Sequence, residues 1–298
     1  MAFMSGIRKK DGFNGQRAIV LPKSILRLCE ENPLTAPLHT TDIGYYPKAR
    51  FHYRERESGI NQNILIYCVD GGGWAEIEGK KITVAQGQYL IIPKNMPHRY
   101  GAQDLNPWSI YWVHFKGSSE EGILKELTNN DRDAYAHLAS FGQKRQKLFD
   151  DIYNTLELGY STDRLNYASM VLWNYLGTFC YPEFFNNEIR KDEPVEVVIR
   201  YMHENSDKPL QLKEMAELVH FSQSHFSALF KKRTGYPPLD YFNHIKIQKA
   251  CQYLEFTDIH VKELGYQLGF NDPFYFSRLF NKHMGESPVE YRKRKKYK

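Results

Sequence analysis

The spacing of apolar residues changes character along the chain. Between 39 and 115 it falls into short clusters: Phe51-His52-Tyr53-Arg54, Ile64-Leu65-Ile66-Tyr67-Cys68-Val69, Trp74-Ala75-Glu76-Ile77, Lys81-Ile82-Thr83-Val84, Tyr89-Leu90-Ile91-Ile92 and 108–115. These are β-branched or aromatic, and Gly, Pro, Asn and Asp separate them, which predicts strands. Six or more short strands predict a sandwich or small barrel. From 118 to 188 the period is helical: Leu148, Ile152 and Leu156 share a face, and Leu165, Met170, Trp173, Leu176 and Phe179 are spaced likewise. The stretch 24–31 predicts a short helix stopped by Asn32-Pro33, and the polar residues 1–24 predict an arm with little fold of its own. A polar run at 186–193 predicts a linker, and Pro194 suits the first turn of a helix over 195–204.

The last ninety or so residues repeat themselves. Phe226, Gly235, Pro238 and Tyr241 recur fifty positions later as Phe276, Gly285, Pro288 and Tyr291. Ala216 and Phe221 recur only forty-nine positions on, as Gly265 and Phe270, so the second copy has one extra residue in its turn. Each copy predicts a helix–turn–helix. In the first, a helix over 212–218 is followed by the turn Val219-His220-Phe221, and Ser222 caps a second helix that stops at Gly235. In the second, Gly269-Phe270-Asn271 is the turn and Asp272-Pro273 starts the second helix, Asp at the cap and Pro in the first turn. Phe226, Leu229, Phe230 and Phe276, Leu279, Phe280 then point inward. The outer faces are left with Gln223, Ser224, Ser227, Ala228 and Lys231, and with Phe274, Tyr275, Ser277, Arg278 and Lys282. A second helix presented this way enters the major groove. Arg278 is the best base reader, because guanidinium grips guanine O6 and N7 bidentately. Lys231, Lys232, Arg233 and Lys282 lie further along and suit phosphates.

Charge agrees with that reading. Residues 190–298 hold 19 Lys and Arg against 14 Asp and Glu, while 1–189 hold 21 of each, so the net charge of +5 sits on the repeat and on the basic tail 293–298. Such asymmetry points to nucleic acid, although a basic tail is also common as a solvated terminus. No apolar run approaches the ~20 residues that span a bilayer. Four scattered cysteines, with no Cys-x-x-Cys, fit the reducing cytoplasm.

On these residues, 195–292 resemble the DNA-binding domain of the AraC/XylS family of bacterial transcription regulators. The most specific stretch runs from Leu264-Gly265-Tyr266-Gln267-Leu268-Gly269-Phe270 through Phe276-Ser277-Arg278-Leu279-Phe280-Asn281-Lys282 to Gly285-Glu286-Ser287-Pro288 and Tyr291-Arg292. The resemblance implies seven helices, with a long one over 238–255 joining two reader units that address successive major grooves. Gly265 departs from the family's usual Ala, and Ala228 stands where relatives often carry a polar base contact.

Residues 87–98, a Gly…Pro-x-x-x-x-His stretch ending in Pro97-His98, resemble the second motif of cupin barrels, and 39–115 resemble the effector-binding domain of AraC-type regulators. No first-motif histidine accompanies His98, so no metal or other cofactor is expected and a cupin enzyme is disfavoured. The resemblance to arabinose-sensing relatives implies pocket residues Arg56, Tyr100 and Trp112, with Tyr46 a fourth and His98 beside them. Ile110 replaces a polar family residue, so the effector need not be arabinose. His98 satisfied by a backbone partner, Trp112 as core and Arg56 in a surface ion pair remain the bland alternatives.

The expectation is therefore an α+β chain: an arm at 1–38, a cupin-like barrel at 39–117, a helical dimerisation and linker segment at 118–187, and an all-α DNA-binding domain at 194–292 with helix–turn–helix units at 212–234 and 261–284. It is expected to be a cytoplasmic, homodimeric regulator and not an enzyme, binding double-stranded DNA and a small sugar-like effector, contacting RNA polymerase, and activating a carbohydrate-catabolism operon. The alternatives are a barrel that only dimerises, and a cupin enzyme fused to a DNA-binding domain.

Overall fold

The computed structural model describes residues 8–129, 131, 135–139, 142–185 and 193–296. The chain divides into two compact units, 1–186 and 187–298. The first is β-rich and the second is entirely helical among its described residues.

Among its described residues the N-terminal unit has ten strands: β1 (Arg17–Val20), β2 (His39–Tyr46), β3 (Tyr53–Arg56), β4 (Asn63–Asp70), β5 (Gly72–Ile77), β6 (Lys80–Ala85), β7 (Gln88–Ile92), β8 (His98–Ala102), β9 (Ser109–Lys116) and β10 (Ala136–Leu138). They form an antiparallel sheet β1-β2-β9-β4-β7-β10 and a second, β3-β8-β5-β6. Alternation sends Ile64, Ile66, Leu90, Ile92, Ile110 and Trp112 inward between the sheets. Leu65, Tyr67, Tyr89, Ile91, Val113 and Phe115 face the other way, under helices. Burial on both faces is why 64–68 and 89–92 read as unbroken apolar runs and not as alternation. The helices are α1 (Lys23–Glu31), α2 (Glu120–Leu127), α3 (Gln143–Glu157) and α4 (Thr162–Cys180).

Three expectations need correction here. The supposedly unfolded arm carries β1, paired with β2 from Arg17↔Tyr45 to Val20↔Asp42, and Phe13 is 7% exposed inside the barrel. Four residues of alternating burial are too short to signal a strand by themselves. The helical segment contains β10, three residues long, on the edge of β7. Finally, Leu165, Leu176 and Phe179 of α4 are buried against the barrel, but Met170 and Trp173 are 55% and 39% exposed. With Tyr167 they form a separate stripe on the opposite side of the helix.

Among its described residues the C-terminal unit has seven helices: α5 (Pro194–Glu204), α6 (Leu212–Leu218), α7 (Gln223–Thr234), α8 (Pro238–Phe256), α9 (Val261–Gln267), α10 (Pro273–Met284) and α11 (Pro288–Lys296). Each repeat copy builds its own core. Phe226 and Phe230 pack with Met202, Met215 and Ala216, and Phe276 and Phe280 with Leu264, Phe270 and Tyr291. The long helix α8 serves both, giving Phe242 and Ile245 to the first and Ile247, Ala250 and Leu254 to the second. Caps follow the sequence: the Ser222 hydroxyl accepts from the His225 N–H, Asp272 from the Phe274 N–H, and Gly235 and Gly285 end the reader helices at φ 81° and 74°. At Gly265 a Cβ would lie 3.3 Å from the Phe276 ring, so the missing methyl lets α9 and α10 pack closely.

A second bond joins the two units of the repeat. Lys246 on α8 is 3% exposed. Its ammonium donates to the carbonyls of Lys208 (2.8 Å), before the first unit, and Leu268 (2.7 Å), at the end of α9. Its charge also lies 4.7 Å from the Phe242 ring centroid and 4.9 Å from that of Phe270. Burial lowers its pKa to about 8, so the ammonium form still dominates at neutral pH.

Candidate functional site

The outer faces of α7 and α10 carry the candidate DNA residues. On α7, Gln223, Ser224, Ala228, Lys231 and Lys232 are exposed and Ser227 is half-buried. On α10, Tyr275, Arg278 and Lys282 are exposed, whereas the Ser277 hydroxyl donates to the Pro273 carbonyl (3.0 Å) and is turned into its own helix. The Arg278 side chain is 72% exposed and leans toward the Asp272 carboxylate at 3.7 Å, the group that caps the helix. The guanidinium is thus held near the start of α10, where a reader helix meets base edges. Phe274, on the first turn, is 77% exposed and sets an apolar ring beside Tyr275. The first face is small and polar and the second is aromatic and cationic, on matching scaffolds.

The candidate effector residues converge inside the barrel. Tyr46, His98, Tyr100 and Trp112 are each at most 9% exposed. Register sets Arg56 opposite His98 and Arg54 opposite Tyr100, so all four side chains share the inner face. Arg56 donates to the His98 Nε2 (3.1 Å) and to the Tyr100 hydroxyl (3.4 Å), not to Glu55 or Glu57. His98 has its backbone partner as well, Nδ1 donating to the Met96 carbonyl at 2.7 Å. Burial, reinforced by the Arg56 charge, lowers the His98 pKa to about 4, so the ring is neutral. Tyr46 contacts Trp112 edge-on at 5.4 Å.

Sequence reading missed His52, Arg54 and His114. His52 is 4% exposed and accepts the Trp108 indole N–H (3.2 Å) at Nδ1. Burial, then the Arg54 and Arg56 charges, lower its pKa to about 3. A neutral ring that accepts at Nδ1 carries its proton on Nε2, and that atom has no partner. The Trp112 indole nitrogen is likewise buried and unpaired. His114 lies 3.0 Å from the Gln62 carbonyl oxygen and 3.5 Å from Asp42. The available signal was alternation: Arg54 sits two residues before Arg56 and must share its face. Among the described residues, no group of three or more His, Cys, Asp or Glu is placed to hold a metal ion, and no helix is long and apolar enough to cross a membrane.

A cleft of about 790 Å³ opens where residues 9–14 meet the β2–β3 connection, lined by Lys9, Phe13, Pro47, Lys48, Arg50 and Asp70 among others. None of the five candidate effector residues lines it. Phe13 connects the two places, since its ring packs on Tyr46 (5.1 Å) and His52 (5.4 Å).

Comparison with known proteins places a family profile on each of the two units. The AraC-like ligand binding domain profile matches residues 44–166, and a helix-turn-helix domain profile matches 215–294. The MmsAB operon regulatory protein of Pseudomonas aeruginosa is 31% identical over 278 residues, covering 92% of this chain and 89% of that protein. The lactose operon transcription activator of Staphylococcus xylosus is 25% identical, covering 78% and 84%. The arabinose operon regulatory protein of Escherichia coli is 26% identical, covering 80% and 82%. With both domains matched and a relative aligned along nearly its full length, this chain belongs to the AraC family of transcriptional regulators.

Proposed function

We propose that this regulator reads DNA through α7 and α10 and activates a carbohydrate-catabolism operon when a small sugar-like effector enters the barrel. Gln223, Ser224, Ser227, Ala228, Tyr275 and Arg278 form the base-reading faces, Ser277 instead bracing α10 through its bond to the Pro273 carbonyl, and Lys231, Lys232 and Lys282 meet phosphates. Tyr46, Arg56, His98, Tyr100 and Trp112 form the effector site. The observation that supports the effector reading most is the pair of unsatisfied buried N–H groups, on Trp112 and on His52, among the candidate effector residues. A buried unpaired donor costs about 1–3 kcal/mol, which a ligand acceptor recovers. Effector binding must favour one arrangement of the protein over another, or it changes nothing. The arm at 1–38 and the helices of 118–187 are the elements proposed to differ between those arrangements. Names of relatives that regulate lactose and arabinose operons support the carbohydrate assignment. Selection of bound DNA from a random pool, with and without candidate sugars, tests the whole reading. A selected sequence whose enrichment never changes with any ligand leaves a barrel that only dimerises.

Two mutational outcomes follow. Arg278→Ala is expected to weaken binding to the selected site by about 1–3 kcal/mol and to relax one base position. Lys231→Ala is expected to weaken all sequences alike and to reduce the salt slope. If the two variants behave identically in salt-titrated binding, the division between base and phosphate contacts is wrong.

The exposed stripe Tyr167, Met170 and Trp173 on α4 is proposed as the homodimer contact of a cytoplasmic protein that touches RNA polymerase when bound to DNA. Met170→Glu with Trp173→Glu is expected to give a monomer by sedimentation without lowering the melting temperature, because neither side chain is in the barrel core. A dimer that persists places the interface elsewhere.

A further inference from the structure

The barrel interior is rich in donors and poor in acceptors. Arg54 and Arg56 both face inward from β3, and among the described residues neither guanidinium has a carboxylate within ion-pair distance. The inner carboxylate of Asp42 accepts from the Thr41 hydroxyl (2.8 Å) and faces His114. Arg56 directs one guanidinium nitrogen, Nη1, at both His98 and Tyr100, leaving Nε and Nη2 of its fork. His52 Nε2–H and the Trp112 indole N–H add two buried donors without partners. The rings join these groups into one cluster, Tyr46 contacting both His52 (5.3 Å) and Trp112 (5.4 Å), and His52 contacting Tyr100 (5.7 Å). A neutral sugar donates as often as it accepts, so it would leave charge and N–H groups unanswered. A carboxylate only accepts, on two oxygens, and matches a guanidinium fork.

The cleft beside Phe13 carries the same sign. Lys9, Lys48 and Arg50 line it against a single acid, Asp70. None of the three cations pairs with a carboxylate among the described residues; Lys9 donates to the Gly12 carbonyl and Arg50 lies over the Phe51 ring. Lys48 and Phe51 take left-handed backbone conformations at φ 37° and 66°, which side chains other than glycine's adopt only under constraint. A positively lined cleft on the same unit raises the local concentration of anions.

We propose that the effector is a small carboxylate, of the sugar-acid or hydroxy-acid class, whose carboxylate is gripped by Arg54 and Arg56 while Trp112 and His52 donate to its remaining oxygens. This rests on the effector reading of the barrel, and narrows it from a neutral sugar to its acid.

Isothermal titration on the full chain with matched pairs tests it: galacturonate against galactose, glucuronate against glucose, gluconate against glucitol, and lactate against propane-1,2-diol. At least one acid is expected to bind about tenfold or more tighter than its neutral partner, the worth of a charge-assisted bond. Arg54→Gln is expected to abolish that preference, and Arg54→Lys to keep part of it, with circular dichroism showing that both variants fold. Neutral members binding as tightly as their acids, or a preference that survives Arg54→Gln, overturns the carboxylate while leaving the effector reading intact. Heat from no pair overturns both.

Discussion

Lowering the pH from 6.5 toward 4 is expected to strip several kcal/mol from the stability of the N-terminal unit. The cause is the buried neutral histidines. Unfolded, each titrates near 6.5. Folded, burial and the neighbouring guanidiniums lower His52 to about 3 and His98 to about 4, and burial lowers His114 too, against the pull of Asp42. Between those values the unfolded chain binds protons that the native barrel refuses. Stability therefore rises with pH across this window, is complete above 6.5, and is lost as pH falls toward the folded values. At about 1.4 kcal/mol per pH unit of difference, the two rings together are worth on the order of 8 kcal/mol once both have titrated. That is a large part of a domain's usual stability. All four tryptophans, Trp74, Trp108, Trp112 and Trp173, lie in this unit, so denaturant titrations followed by indole fluorescence report on it alone. His52→Gln keeps an acceptor for the Trp108 indole and removes one titration. It is expected to flatten the slope by at most about half, since His98 and His114 still titrate. An equal slope in both proteins would show that carboxylates, and not these rings, govern acid lability.

Those histidines illustrate what the sequence could and could not reveal. His98 was visible because Pro97-His98 closes a motif with fixed spacing. His52 was not: it precedes β3 in an irregular segment, and only the fold brings it under Trp108. Arg54 lay in plain view, two residues from Arg56, yet Glu55 and Glu57 made the stretch look like a solvated charge run. Alternation separates them once the strand is known, with Glu55 outside near Arg8 and Arg99 and the arginines inside. The run Gly71-Gly72-Gly73 also gains its reason only in three dimensions. A Cβ on Gly73 would sit 1.9 Å from the Trp108 ring, and one on Gly71, at φ 68°, 2.5 Å from the Pro107 carbonyl.

The helical half was more legible because its signals are local. Caps, reader helices and core phenylalanines follow from spacing within some thirty residues, and the repeat supplied each twice. The short strands β1 and β10 were illegible because their pairing partners lie 22 to 50 residues away along the chain. The α4 stripe was misgrouped because Met170 and Trp173 are apolar but off the face that Leu165, Leu172, Leu176 and Phe179 bury. Periodicity marks apolar positions; it does not say which of two partners each one meets.

Nothing in the repeat announced the joint between its copies, and there the largest effect on DNA binding is expected. Lys246→Met removes the donor shared by the Lys208 and Leu268 carbonyls, leaving two backbone acceptors unanswered at about 1–3 kcal/mol each. Gly269→Ala acts at the same place from the other side. Its φ is 70°, and a Cβ there would lie 2.7 Å from the Asp207 carbonyl oxygen, so the turns must separate. Each reader keeps its own phenylalanine core, since neither substitution touches Phe226, Phe230, Phe276 or Phe280. What changes is the spacing of α7 and α10. Two readers joined rigidly bind as one, and a linkage that no longer matches the spacing of two DNA elements forfeits the avidity, on the order of 10²-fold. Both variants are therefore expected to lose that factor on a duplex carrying both elements and to bind a single-element duplex within about twofold of the parent, a difference below 0.5 kcal/mol. Equal losses on both duplexes would mean that Lys246 and Gly269 hold the fold of each reader and not the distance between them. Restoring two-element binding by inserting or deleting a base pair between the elements would locate the effect in the joint, because only a changed spacing can be met by changed DNA.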